Sequence, residues 1–300
     1  MSFTVPSRHS RTATAGLEVF DTMLKRILVG VVFIPIVFVV LFVLPPIWTA
    51  IMVAFIGALA SYELLRATGV AHHNRTYLYT SLCAALIPFG IYLTGSGWQV
   101  SYAVPVALCM VLLMCALFMQ AIIRFGGEDS IPMEHVMVGL FAGAIIPAFL
   151  SCLLQLRMMG NGKFLVLLPI ISAFLTDSGA YFVGMFFGKH RGVTKVSPNK
   201  SLEGYIGGIV AGALFMLLYG VVLEKVVGIV PSYLVMAVYG LVGSAVTELG
   251  DLSFSLIKRQ FGVKDYGNLL PGHGGMMDRF DSMVFAAPAI WVMVSMFPAF

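Results

Sequence analysis

The chain has 300 residues, of which 59% are hydrophobic and 11% charged, and its mean hydropathy is +0.96. Soluble domains carry about 25% charged residues, so this composition excludes a soluble globular enzyme and predicts an all-α polytopic membrane protein. The net charge of +4 belongs to loops that flank apolar runs, which removes it as a sign of nucleic-acid binding.

Residues 1–24 read as a polar N-terminal tail and 25–300 as a single transmembrane domain. Spanning a hydrocarbon core of ~30 Å takes about 20 apolar residues. Nine runs qualify: 27–44, 47–65, 77–95, 100–123, 136–156, 164–187, 205–223, 231–257 and 282–298. The first run follows Lys25-Arg26 but, at 18 residues, exceeds the roughly 7–15 of a cleavable signal. Only Pro45-Pro46 separates it from the second, so eight spans with a broken helix is the alternative. The spans within 27–156 form an N-terminal part, and 164–300 form the part that carries the chemistry.

Lys and Arg set the orientation, because cytoplasmic loops carry the excess of both. Fifteen of the 18 fall on the side of the N-terminus, and only Arg157, Lys163 and Lys225 on the other. This places the loops 188–204 and 258–281 in the cytoplasm. Cys83, Cys109, Cys115 and Cys152 sit in apolar runs without ligand spacing and read as small hydrophobes.

Charge inside an apolar run is costly and points to function. Glu63 closes the second run and reads equally as a support for a site or an interfacial charge. In the sixth run Asp177, Tyr181, Gly184 and Gly188 share a helix face. Asp177 there lines a reaction cavity or pairs with a buried cation, and the glycines offer a close-packing surface. Lys189, His190, Arg191 and Lys195 follow in the loop, and positive-inside bias alone accounts for Arg191 and Lys195. Lys200-Ser201 looks more like a phosphate clamp at a helix N-terminus.

The eighth run carries Glu248, Asp251, Ser255 and Lys258 at helical spacing, one polar stripe. Asp251 lies seven residues below Lys258, roughly 10 Å at the helical rise. The next loop holds Lys264, Asp265 and the glycine-rich Pro271-Gly272-His273-Gly274-Gly275. Glycines let backbone N–H groups approach an anion, although a plain re-entry turn has the same pattern. Asp278 and Asp281 open the last run, with Asp278 directed to the site and Asp281 equally readable as a helix cap. Carboxylates at this depth, with substrate phosphates, are how Mg²⁺ is usually held.

At these residues the chain resembles the bacterial-type phosphatidate cytidylyltransferases, also called CDP-diacylglycerol synthases. Ser255, Lys258-Arg259, Lys264-Asp265, Pro271, His273-Gly274-Gly275, Asp278-Arg279 and Asp281 match the family signature over 27 residues. The likeness extends over roughly 170–285, through Gly250-Asp251-Leu252, Asp177, Gly188-Lys189, Ser197-Pro198, Lys200-Ser201 and Glu203-Gly204. Phe254, Asn199 and Tyr266 depart from the residues many members carry, so no role is carried over to those three positions.

The resemblance implies cytidylyl transfer from CTP to phosphatidic acid with Mg²⁺ as cofactor, a second cation remaining an option. It implies metal binding by Asp251, Asp278 and Asp281, and catalytic roles for Asp251, Asp278, Lys258 and Lys264. Arg259, His273, Gly274, Gly275, Arg279, Lys200, Ser201, Asp177 and Lys189 would then bind the substrates. The implied partners are CTP, phosphatidic acid and membrane lipids, with a homodimer left open and no nucleic acid. Two rival classes are a lipid-alcohol kinase that uses CTP, and an ion-coupled transporter with Asp177, Glu248 and Asp251 as its pathway.

Overall fold

The computed structural model describes residues 35–70, 74–95, 101–269 and 274–300. Among them are eight helices long and apolar enough to cross a membrane: α1 Pro46–Thr68, α2 Arg75–Gly95, α3 Ala103–Arg124, α4 Met133–Met158, α5 Gly162–Phe187, α6 Leu202–Val227, α7 Tyr233–Gln260 and α8 Met277–Met296. The described residues contain no strand, only one isolated bridge between Arg191 and Ser201. Eight of the nine expected runs are therefore helices of spanning length. The run 27–44 falls partly outside the described residues, and its described portion is helical through Val43.

Local chemistry explains where these helices start and stop. Pro45-Pro46 opens α1, where proline's missing N–H costs nothing. Gly69, with φ of 64°, closes it in the left-handed region. Ser201 caps α6 by accepting from the Gly204 N–H at 3.1 Å. Lys258 and Arg259 lie in the last turn of α7, where the helix dipole favours cations.

Helix α4 is not regular. A π-helical turn at Phe141–Ile145 precedes Pro147, and Ser151 breaks the helix again.

Packing divides the bundle into α1–α4 and α5–α8, with α8 touching both halves. Helices α5 and α6 approach closely along small residues, where a Cβ on Gly208 would come within 3.0 Å of the Thr176 carbonyl oxygen. Such stripes are how helices associate without a hydrophobic drive between them. One buried cluster joins the halves through Leu64 and Leu65 of α1, Ile146 of α4, Phe254 of α7 and Met277 and Met283 of α8. The outer faces expose residues such as Leu108, Ile123, Phe186 and Leu214, as contact with hydrocarbon requires.

The ends that carry the conspicuous loops all meet. Arg259, at the end of α7, donates from Nε to the Val196 carbonyl at 3.3 Å, joining it to the loop after α5. Glu63, near the end of α1, accepts from the Met277 N–H at the start of α8. The 188–204 and 258–281 loops therefore lie at one end of the bundle.

Candidate active site

Two lysines organise the polar interior at that end. Lys200 Nζ lies 2.8 Å from Glu248 Oε2 and 2.7 Å from Asp251 Oδ2. The two acids stand three residues apart on α7, so one face presents both to the same ammonium. Burial works against the charge on Lys200, but Asp251 and then Glu248 overcome it and raise the lysine pKa above its ordinary value. Lys258 Nζ lies 3.0 Å from Asp278 Oδ1 and 3.8 Å from Asp281 Oδ2. It also stands 5.3 Å from the centre of the Tyr266 ring, within cation–π range.

The two lysine centres belong to one site. The Asp281 carboxylate feels the charges of Asp251, Lys258 and Asp177, and Asp177 feels Lys200, Asp251 and Glu248. Ser282 Oγ donates to Asp177 Oδ2 at 3.3 Å, tying α8 to α5. A cavity of about 500 Å³ opens beside them, lined by Asp177, Tyr181, Arg191, Lys200, Tyr205 and Asp251. Asp177 thus faces a cavity, as one of its two sequence readings requires.

The other expected residues distribute as follows. Asp278 is held on both oxygens: Oδ1 accepts from Lys258, and Oδ2 accepts from the Tyr266 N–H at 2.8 Å and the Gly275 N–H at 3.0 Å. Asp278 thus binds the backbone just before α8, while Glu63 takes the Met277 N–H. Asp281 lies one turn further in, 8% exposed, with Oδ1 accepting from the Ser282 N–H.

Gly274 has φ of 80°, a left-handed conformation that favours glycine. Ser201 is committed to its cap, and Lys189 contributes its backbone N–H to Glu203 at 3.2 Å. Arg259, Lys264 and Arg279 are exposed. His273 lies outside the described residues.

Glu248 appears in the sequence as one member of a stripe, yet it shares Lys200 with Asp251 and its Oε1 is buried without a hydrogen-bond partner. Tyr266 covers Lys258 and donates from its hydroxyl to the Phe254 carbonyl at 2.8 Å. Burial, with the charges of Asp281 and Asp278 added, raises the pKa of that phenol. Phe254 and Tyr266, two of the positions that depart from the family pattern, therefore form one contact, with ring centres 6.2 Å apart.

Among the described residues no three His, Cys, Asp or Glu side chains form a ready metal cage. Mg²⁺ does not ask for one, because it keeps several waters and takes one or two carboxylates plus substrate phosphates. The donors present are hard carboxylate oxygens, and ammonium groups already occupy cation positions between them at 2.7–3.0 Å. This donor set fits Mg²⁺.

Comparison with known proteins agrees with this chemistry. Residues 24–297 match the model of the cytidylyltransferase family. The chain is 32% identical over 299 residues to a phosphatidate cytidylyltransferase of Mycobacterium bovis, covering 96% of this chain and 92% of the relative. It is 30% identical over 281 residues to a phosphatidate cytidylyltransferase of Bacillus subtilis, covering 92% and 98%. A Staphylococcus epidermidis protein of the same name is 41% identical over 129 residues, 43% of this chain and 48% of the relative. With a match that runs nearly end to end and a charged site set among spanning helices, this chain belongs to the cytidylyltransferase family.

Proposed function

We propose that this multi-pass membrane protein transfers cytidylyl from CTP to phosphatidic acid, giving CDP-diacylglycerol and pyrophosphate for phospholipid biosynthesis. The observation that carries the reading is the likeness, over 96% of the chain, to a relative named phosphatidate cytidylyltransferase.

The chemistry suits the side chains at hand. A phosphate monoester loses its second proton near pKa 6, so the phosphatidate head group arrives as a ready nucleophile. One of its oxygens bonds to the α-phosphorus of CTP. The bond from that phosphorus to the oxygen bridging to the β-phosphate breaks, and pyrophosphate leaves with the electron pair. No protein nucleophile takes part. The protein brings two anions together in line and neutralises the charge between them. Lys200 and Lys258 each face two acids, and substrate phosphates offer them alternative anionic partners. Lys264, Arg259 and Arg279 are exposed and would meet the triphosphate as it arrives. Asp251 and Asp281, with Asp278 one turn away, would hold Mg²⁺, which when bound neutralises charge on the phosphates.

The site end of the bundle is assigned to the cytoplasm of a bacterial cell, where CTP is found. Cysteines placed at Asn199 and Asn268, in a chain without its four native cysteines, are expected to resist an impermeant thiol reagent on intact spheroplasts. They are expected to react once the membrane is opened. Labelling from outside would invert the orientation. The activity itself is tested with purified protein, phosphatidic acid, CTP and Mg²⁺, where CDP-diacylglycerol is the expected product. Folded protein that makes no liponucleotide across lipid and Mg²⁺ conditions would defeat the reading.

A further inference from the structure

Glu63 lies near the end of α1, far in sequence from the acids and lysines of the site, yet it is 5% exposed and packed against Gly267 and Gly275. Its Oε2 accepts from the Met277 N–H at 2.8 Å, across 214 residues of sequence. Its Oε1 is buried without a hydrogen-bond partner. Gly267 and Gly275 lie directly on the carboxylate: a Cβ on either would stand 2.5 Å from a Glu63 oxygen. Both segments that flank 270–273 therefore rest on one side chain from another part of the bundle.

The start of α8 explains why a carboxylate belongs there. The first N–H groups of a helix have no partner within it, and its N-terminus favours negative charge. The residue preceding α8 is Met276, which supplies no side-chain cap. Glu63 supplies one from α1. On the opposite side, Asp278 Oδ2 accepts from the Tyr266 and Gly275 N–H groups. Two carboxylates thus grip the same two backbone segments, 266–267 and 275–277. One of them, Asp278, also holds Lys258.

We propose that Glu63 is a positioning residue for the transfer reaction: it fixes the first turn of α8 together with Gly267 and Gly275, and through them the Asp278–Lys258 pair. The role rests on the transferase reading for its kinetic consequence, while the packing it describes stands independently. It also gives α1 a part in the chemistry, although Glu63 itself does not touch substrate.

The test combines kinetics with a measurement of local opening at the start of α8. Glu63→Ala is expected to lower kcat about 10²-fold, the scale of a misplaced catalytic group. KM for CTP and phosphatidate should stay within about threefold, the pattern of a lost transition-state interaction. Glu63→Gln keeps the shape and one acceptor for the Met277 N–H, and should recover at least about tenfold of that loss. Gly267→Ala alone should impair turnover by driving a methyl into the carboxylate. In the Glu63→Ala background it should cost nothing further, since contacting residues are non-additive.

Opening is read by thiol labelling of Met276→Cys, a 3% exposed position, in a chain lacking the native cysteines. Labelling should be at least about tenfold faster in the Glu63→Ala background, as local opening requires, and slow in the Glu63→Gln background. If Glu63→Ala fails to fold, Gly267→Ala decides alone, with wild-type turnover and slow labelling overturning the proposal. Additive losses with unchanged labelling would also overturn it. If labelling depends on Glu63 while the unaltered protein makes no CDP-diacylglycerol, the clamp is supported and the transferase reading fails.

Discussion

Lys200 and Lys258 each meet two carboxylates, but the molecule holds them differently. Lys200 comes from a loop and is 27% exposed at the edge of the cavity, while its acids Glu248 and Asp251 sit together on α7. Lys258 is itself on α7 and 13% exposed, and its acids are on α8, where Asp278 is also bound by two backbone N–H groups. A loop lysine at a cavity edge can exchange a carboxylate for a phosphate with little cost to the frame. A lysine between two packed helices is part of that frame. Under the proposed transfer reaction, one ion-pair chemistry would serve two tasks, substrate capture at Lys200 and alignment at Lys258.

The largest effects should come from the acids between the two lysines. Asp251→Asn and Asp281→Asn are each expected to lower kcat by about 10²–10³-fold, the scale of one lost stabilising contact on developing charge. Asparagine preserves shape, so the helical circular dichroism should not change. Near-normal turnover in either variant at saturating Mg²⁺ removes that acid from the centre.

The lysines themselves sharpen the contrast. Lys258→Ala leaves two buried acids without their cation, and breaking such a pair costs about 3–5 kcal/mol. The expected result is a lower thermal midpoint in detergent along with lost activity. Lys200→Ala should lose activity about 10²-fold, with a higher KM for CTP or phosphatidate and a much smaller change in thermal midpoint. Equal destabilisation by the two substitutions would break the distinction between capture and alignment.

A smaller effect is expected at Arg259, whose Nε holds the Val196 carbonyl. A membrane anchor tolerates lysine in its place, because snorkelling needs only a long cationic chain. A directional donor does not, because ammonium and guanidinium differ in geometry. Arg259→Lys should therefore raise KM by less than about tenfold, by loosening the loop that delivers Lys200, with insertion unchanged. Wild-type kinetics would reduce Arg259 to an anchor.

Much of this arrangement was legible in the sequence because the membrane makes hydropathy and charge unusually informative. The runs at 47–65 and 77–95 match α1 and α2 to within three residues at each end. The Glu248–Lys258 stripe is a true helix face, because its spacing follows the helical period. The start of α8 was harder to see. The run begins at 282 by hydropathy, whereas the helix begins at Met277. The helix turns Asp278 and Asp281 toward Lys258, and an apolar window reads such polar residues as loop.

The π-helical turn in α4 left no trace either, since hydropathy does not report register. The least legible features were the long-range pairings. Nothing local links Lys200 to Glu248, 48 residues away, or Glu63 to Met277, 214 away. Glu63 carried one signal, an acid at the end of an apolar run, and that pattern alone does not tell a buried clamp from an interfacial charge.

The most direct test of the central claim follows the fate of two labels. Purified protein in detergent receives phosphatidic acid, Mg²⁺ and CTP labelled at either the α- or the γ-phosphorus. Cytidylyl transfer predicts that the α-label enters the lipid fraction as CDP-diacylglycerol, that the γ-label leaves in pyrophosphate in equal amount, and that Asp251→Asn slows both by about 10²–10³-fold. Entry of the γ-label into lipid with release of CDP would make the protein a kinase and contradict the account.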